Sequence, residues 1–116
     1  YQENLSSIRQ ISFLKDEPGA ERIPFRVGIL CEESPALLNH LQNEGIEPRT
    51  FFYPLHKQPV FSHLTEAYRK RGLCMDDKAY PNSVFGFNHG ICLPTFPTLS
   101  EDDIDYVCNS IRKFYV

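Results

Sequence analysis

The stretch Gly90-Ile91-Cys92-Leu93-Pro94-Thr95-Phe96-Pro97-Thr98-Leu99-Ser100-Glu101-Asp102-Asp103-Ile104-Asp105-Tyr106-Val107 joins two secondary-structure signals of opposite kind. Ile91, Cys92 and Leu93 form a short apolar run, and Pro94, which has no N–H to donate, closes it as a strand. Ser100 then stands where a helix N-cap belongs. Glu101, Asp102 and Asp103 place negative charge at the positive end of the helix dipole. Ile104, Val107, Cys108 and Ile111 follow on one helical face, with Arg112 and Lys113 near the negative end. The spacing predicts a strand feeding an amphipathic helix.

Working back from there, the same two periods alternate. In residues 22–30, Ile23, Phe25, Val27 and Ile29 alternate with Arg22, Pro24, Arg26 and Gly28, the pattern of a half-buried strand, with Pro24 at an edge or start position. Ser34 can cap a helix, Pro35 fits its first turn, Leu37, Leu38 and Leu41 line one face, and Gly45 stops it. Residues 46–53 read as a second strand interrupted by Pro48, and residues 54–63 as a loop. A short helix runs from Leu64 to a stop at Gly72, an irregular stretch follows, and Asn82 and Ser83 open another helix through Phe87. Asn88, His89 and Gly90 read as a turn before the strand. At the other end, Leu5 and Ile8 share a helical face in residues 1–9, residues 11–14 suit a short strand, and residues 15–21 form a Pro-Gly turn. Strands separated by helices in so short a chain predict an α+β fold: one small antiparallel or mixed sheet with helices mainly on one face.

At 116 residues the chain has the length of one domain. It contains no long apolar run of the kind that spans a membrane, and its opening has no apolar signal-peptide core. Its start at Tyr1, in place of Met, is taken as the start of a piece of a longer protein. A net charge of -3 with dispersed Lys and Arg offers no basic face for a nucleic acid. Cys31, Cys74, Cys92 and Cys108 are irregularly spaced, with no C-x-x-C pair. Reduced, mostly buried thiols in a cytoplasmic protein are therefore expected, and no metal site.

Two stretches carry more than fold. Gly45-Ile46-Glu47-Pro48-Arg49-Thr50-Phe51-Phe52-Tyr53-Pro54-Leu55-His56-Lys57-Gln58-Pro59 resembles the G-I-E-x-R and x-P-L-H-x-Q-P segment of the DegT/DnrJ/EryC1/StrS aminotransferases. The stretch from Gly90 quoted above is similar to their closing G-L-x-L-P-x-x-P-x-L-T-E-x-E-I-D-x-V signature. The resemblance covers essentially all of this chain and about the last third of a family member. It implies residues 1–116 as the C-terminal small domain of a fold-type I aminotransferase, with residues 1–10 the tail of a helix from an absent large domain.

The activity so implied is transfer of an amino group, typically from glutamate, to a keto-sugar usually linked to a nucleotide. Pyridoxal phosphate (PLP) supplies the chemistry, bound by the large domain, with a second subunit completing the enzyme. The isolated chain would then be inactive. Two alternatives stay open: a stand-alone nucleotide-sugar-binding or interaction module, and the small domain of a PLP-dependent sugar dehydratase. None of Lys15, Lys57, Lys70, Lys78 and Lys113 has the apolar surroundings that a Schiff-base lysine needs, so no catalytic or cofactor-binding residue is expected in this chain.

Substrate contact is expected from one loop. His56 follows the stiff Pro54-Leu55 pair, and the family's matching histidine faces the substrate side of the cleft. Its imidazole can bond a sugar hydroxyl or a phosphate, or it can simply brace the loop. Tyr53 and Gln58 flank it and can contact substrate or pack locally; Lys57 can meet a diphosphate or stay solvated. Arg49 ends a strand and suits a structural ion pair more than a phosphate contact. His40 reads as exposed on a polar helix face, and the Asp102, Asp103 and Asp105 cluster as complement to the helix dipole. The aromatic run Phe51-Phe52-Tyr53 is expected to divide between the core and a domain interface.

Overall fold

A computed structural model describes residues 1–23 and 25–116; Pro24, read above as an edge or start residue, lies outside them. Its elements are α1 (Gln2–Leu5), β1 (Ser12–Phe13), β2 (Val27–Leu30), α2 (Ser34–Asn43), β3 (Arg49–Thr50), α3 (Thr65–Lys70), α4 (Pro81–His89), β4 (Gly90–Leu93) and α5 (Glu101–Phe114). Three short 3-10 turns, Leu55–Lys57, Pro59–Leu64 and Asp77–Ala79, occupy the long connection between β3 and α4.

The strands form one antiparallel sheet in the order β1-β2-β4-β3. Strand β4 is central and every residue in it is buried, as its apolar run requires. Register sets Ile29 opposite Ile91 and Val27 opposite Leu93. Alternation along both strands sends these four side chains to one face, where α1, α2 and α5 cover them. Leu5, Leu37, Leu41, Val107, Cys108 and Ile111 complete that core. Each fully buried aliphatic side chain there contributes about 1.5–3 kcal/mol. The fold is the α+β layer that the periodicities predict.

The second face is built differently. Gly28 and Gly90 point that way, and the Phe51 ring lies over both of them and against Gly86 of α4. Only glycine leaves room for the ring at Gly90, where a Cβ would overlap Phe51 and the Gly86 carbonyl. Helix α4 runs into β4 with no intervening turn, so Asn88 and His89 are helical, against the turn expected of them. The carbonyls at its end are satisfied from elsewhere: Ser34 Oγ donates to Asn88 O (2.6 Å) and Cys31 N to His89 O (2.9 Å). Ser34 is thus the first residue of α2, and Glu33 holds the N-cap position expected of it.

Helix α2 ends in a Schellman motif. Gly45, at φ 75°, donates to Gln42 O (3.1 Å), and Ile46 N reaches back to Leu41 O (3.0 Å). Leu41 and Ile46 are both core residues, which supplies the hydrophobic contact that accompanies this cap. Helix α5 starts with a full capping box: Asp103 N donates to Ser100 Oγ (3.1 Å) and Ser100 N to Asp103 Oδ2 (3.1 Å).

Two strands are shorter than their patterns. Ile23 and Phe25, expected to be buried, are exposed, because β2 begins only at Val27. Its partner β4 ends opposite, at Leu93, and the following Pro94 has no donor to extend the ladder. Strand β3 keeps only Arg49 and Thr50 of the stretch from Ile46 to Tyr53. Among the described residues no helix is long and apolar enough to cross a membrane.

Candidate functional site

Strand β3 delivers the chain to the loop expected to carry the site. Phe51 N donates to Gly90 O (3.3 Å), which pins the end of β3, and Phe51 fills the glycine slot. From there the aromatic run divides: Phe52 is largely exposed, and Tyr53 sets its ring edge-on to Phe87 at 5.1 Å and 89°. Pro54 is buried. It anchors the 3-10 turn Leu55–Lys57, closed by Lys57 N to Pro54 O (3.0 Å) and Gln58 N to Leu55 O (3.1 Å). The Gln58 amide approaches its own loop, with Nε2 3.5 Å from Tyr53 O.

The four residues expected at the site therefore lie on one loop, His56 and Lys57 within its turn and Tyr53 and Gln58 on either side, but they do not converge equally. His56 and Lys57 meet on a residue that sequence reasoning did not single out. His56 Nε2 lies 2.8 Å from Asp77 Oδ1, and Lys57 Nζ lies 3.0 Å from Asp77 Oδ2. Asp77 sits at the start of the turn Asp77–Ala79, which Asp76 caps by accepting from Lys78 N (3.0 Å) and Ala79 N (3.2 Å). The hydrogen bond from His56, then that from Lys57, holds the Asp77 carboxyl below the usual carboxylate range. An ionised carboxylate only accepts, so Nε2 carries the proton and donates.

The His56 imidazole is enclosed, with its side chain only 4% exposed. The Tyr80 ring stacks on it at 4.6 Å and 24°. Beside it lies a cavity of about 240 Å³, lined among others by Leu55, Phe61, Tyr68, Met75 and Tyr80. With Nε2 committed, Nδ1 is the ring atom left for a ligand. Asp77 is 21 positions from His56, beyond α3 and an irregular stretch, so no single period links the two.

The remaining candidates resolve into structure. Arg49 pairs with Glu47 as expected. His40 is half-buried, where an exposed residue was expected, because Ser110 on α5 faces it: His40 Nε2 lies 3.0 Å from Ser110 O, and its ring rests 5.4 Å from Phe114. Asp103 belongs to the capping box, and Asp105 accepts from Asn4 Nδ2 (2.7 Å). Cys31, Cys92 and Cys108 are buried and Cys74 is exposed, all four as free thiols. Among the described residues no three His, Cys, Asp or Glu side chains gather closely enough to hold a metal ion.

A covalent PLP site needs a lysine that burial or a neighbouring cation has made nucleophilic. All five lysines are exposed, and Lys57, Lys70 and Lys113 are paired with Asp77, Glu66 and Glu44. No lysine of this chain has the surroundings that covalent attachment of that cofactor requires.

A profile of the DegT/DnrJ/EryC1/StrS aminotransferase family matches residues 1–112. GDP-perosamine synthase from Escherichia coli O157:H7 is 36% identical over 118 residues, a match that takes in 99% of this chain and 29% of that protein. A DegT DnrJ EryC1 StrS aminotransferase from Brucella abortus superposes with a TM-score of 0.77 at 26% identity, over 98% of this chain and 28% of its own. The structure of S. venezuelae DesV superposes with a TM-score of 0.81 over 97% of this chain and 28% of its own; at 18% identity that likeness speaks for the fold. The chain thus spans less than a third of the length of each of these relatives.

Proposed function

This chain belongs to the DegT/DnrJ/EryC1/StrS aminotransferase family, and on that footing we propose that it is the C-terminal small domain of a PLP-dependent sugar aminotransferase. The whole enzyme transfers an amino group, from glutamate, to a nucleotide-linked keto-sugar. PLP, held by a large domain and a second subunit outside this chain, supplies the carbanion stabilisation. Residues 1–10, with Leu5 packed in the core, form the link from that large domain. Taken alone, the chain is inactive.

The observation that carries this reading is the loop from Tyr53 to Gln58, in which the family-like motif is anchored at both ends and its histidine has one nitrogen already committed. Similarity to GDP-perosamine synthase over nearly the whole chain supports a nucleotide-sugar as the substrate class. In this reading His56 Nδ1 accepts a hydrogen bond from a sugar hydroxyl, while Tyr53 and Gln58 line the approach.

A calorimetric titration with GDP-mannose, of the chain and of His56→Ala, tests the contact. Loss of one such hydrogen bond, worth about 0.5–1.5 kcal/mol, is expected to weaken binding by roughly 2- to 13-fold. Equal affinities for the two proteins would remove His56 from the site.

A further inference from the structure

One carboxylate serves two neighbours on the motif loop. Asp77 Oδ1 takes His56 Nε2 at 2.8 Å and Oδ2 takes Lys57 Nζ at 3.0 Å. The bracket around it is stiff on both sides. Asp76 caps the turn that starts at Asp77, and three residues further on Tyr80 stacks on the same imidazole. A side chain held by two partners, on a backbone turn that is itself capped, is a poor candidate for a fortuitous surface pair.

The chemistry of the arrangement is selective. A carboxylate on Nε2 fixes that nitrogen as the donor, so a neutral ring has only Nδ1 to offer, as an acceptor. The Lys57 ammonium, otherwise suited to a diphosphate, is already neutralised across 3.0 Å. Between them the two bonds leave the loop equipped for a neutral hydroxyl and poorly equipped for a phosphate.

We infer that Asp77 is a positioning residue for substrate recognition: it presents His56 Nδ1 to a hydroxyl of the sugar and withdraws Lys57 from the nucleotide diphosphate. The inference rests on the proposed function for the identity of the ligand, and on the geometry alone for the state of Lys57. Specificity in this loop then comes from the sugar, and ionic strength has little effect on it.

The test uses the complete enzyme that carries this chain, with Asp77→Ala, Asp77→Glu and the double variant Asp77→Ala with Lys57→Met. Asp77→Ala is expected to raise KM for the nucleotide-linked keto-sugar about tenfold, as losing one well-made hydrogen bond does, with kcat little changed. It is also expected to make KM more salt-dependent, since the released lysine now meets the diphosphate and offsets part of that rise at low salt. The double variant returns the salt dependence to the wild-type slope, and Asp77→Glu recovers most of KM. A purely structural role would move neither the salt slope nor the split between KM and kcat. Asp77→Ala with wild-type KM and salt slope overturns the inference.

If the wild-type enzyme turns over no nucleotide-linked keto-sugar, the proposed function falls and the inference is decided separately. The probe is then GDP, titrated into the chain at several salt concentrations. A steeper salt slope in Asp77→Ala upholds the release of Lys57, and an unchanged slope refutes it.

Discussion

Substituting alanine at each of the three glycines that surround Phe51 separates what the ring needs from what the backbone needs. At Gly28 an added Cβ would meet Phe51 Cζ at 2.8 Å and Cε1 at 3.1 Å, the far end of a side chain that can tilt. At Gly90 it would overlap the root of the same ring and also the Gly86 carbonyl, which belongs to the last turns of α4 and has little room to move. At Gly86 itself the nearest ring atom would lie 3.6 Å from the new Cβ, an ordinary contact. Overpacking of this kind costs about 1–3 kcal/mol where a side chain can give. Gly28→Ala is therefore expected to destabilise by about 1–3 kcal/mol, and Gly90→Ala by more than about 3 kcal/mol, since backbone must shift as well. Gly86→Ala removes a glycine from a helix interior and is expected to stabilise by about 0.5–1 kcal/mol.

Urea unfolding followed by circular dichroism gives the three values, with the slope held constant to exclude denatured-state effects. The decisive part is repetition in a Phe51→Ala background. There Gly28→Ala becomes nearly neutral, because its only close obstacle is gone. Gly90→Ala stays costly, because the Gly86 carbonyl remains. Equal costs for Gly28→Ala and Gly90→Ala, or full rescue of both by Phe51→Ala, would refute this account of the second face.

Two further outcomes are expected. Hydrogen bonds from Ser100 hold the Asp103 carboxyl below its usual range, so the capping box stabilises above the ordinary carboxylate pKa of about 3.9 and loses that contribution as pH falls through the lower folded value. Ser100→Ala is expected to cost about 1 kcal/mol at pH 7 and to flatten the acid limb of the stability curve; an unchanged limb counts against the box. Iodoacetamide on the native chain is expected to label Cys74 alone by mass spectrometry, and all four cysteines only in denaturant; rapid labelling of Cys31, Cys92 or Cys108 would show that the core is open.

The elements legible in advance were those whose signals are local. The N-cap at Ser100, the glycine stop at Gly45 and the apolar run of β4 each act within a few residues, and each appears where its chemistry puts it; the reciprocal bond from Asp103, read only as complement to the helix dipole, completes a capping box. Misreadings arose where a pattern outran its partner. The alternation through Ile23 and Phe25 continues a strand for which the sheet has no neighbour beyond Leu93. His40 looked exposed on a polar face, and only the packing of α2 on α5 supplies Ser110 as its partner. The candidate site divides the same way. The motif from Tyr53 to Gln58 is contiguous and readable, whereas Asp77 and Tyr80 reach His56 from more than twenty positions away, beyond α3 and an irregular stretch, where no single period links them to it. The pairing of Gly28, Gly86 and Gly90 with Phe51 was likewise hidden, since four positions that converge only in space leave no period in the chain.

The proposed activity of the enzyme that this chain serves is amination of a sugar. Its most direct test is to supply the complete protein with PLP, [15N]glutamate and a panel of nucleotide-linked keto-sugars, and to follow the sugar by mass spectrometry. The account predicts 15N in an amino-sugar product and 2-oxoglutarate in equal amount. A deoxygenated product without 15N would point to a dehydratase, and no reaction with any member of the panel would contradict the claim outright.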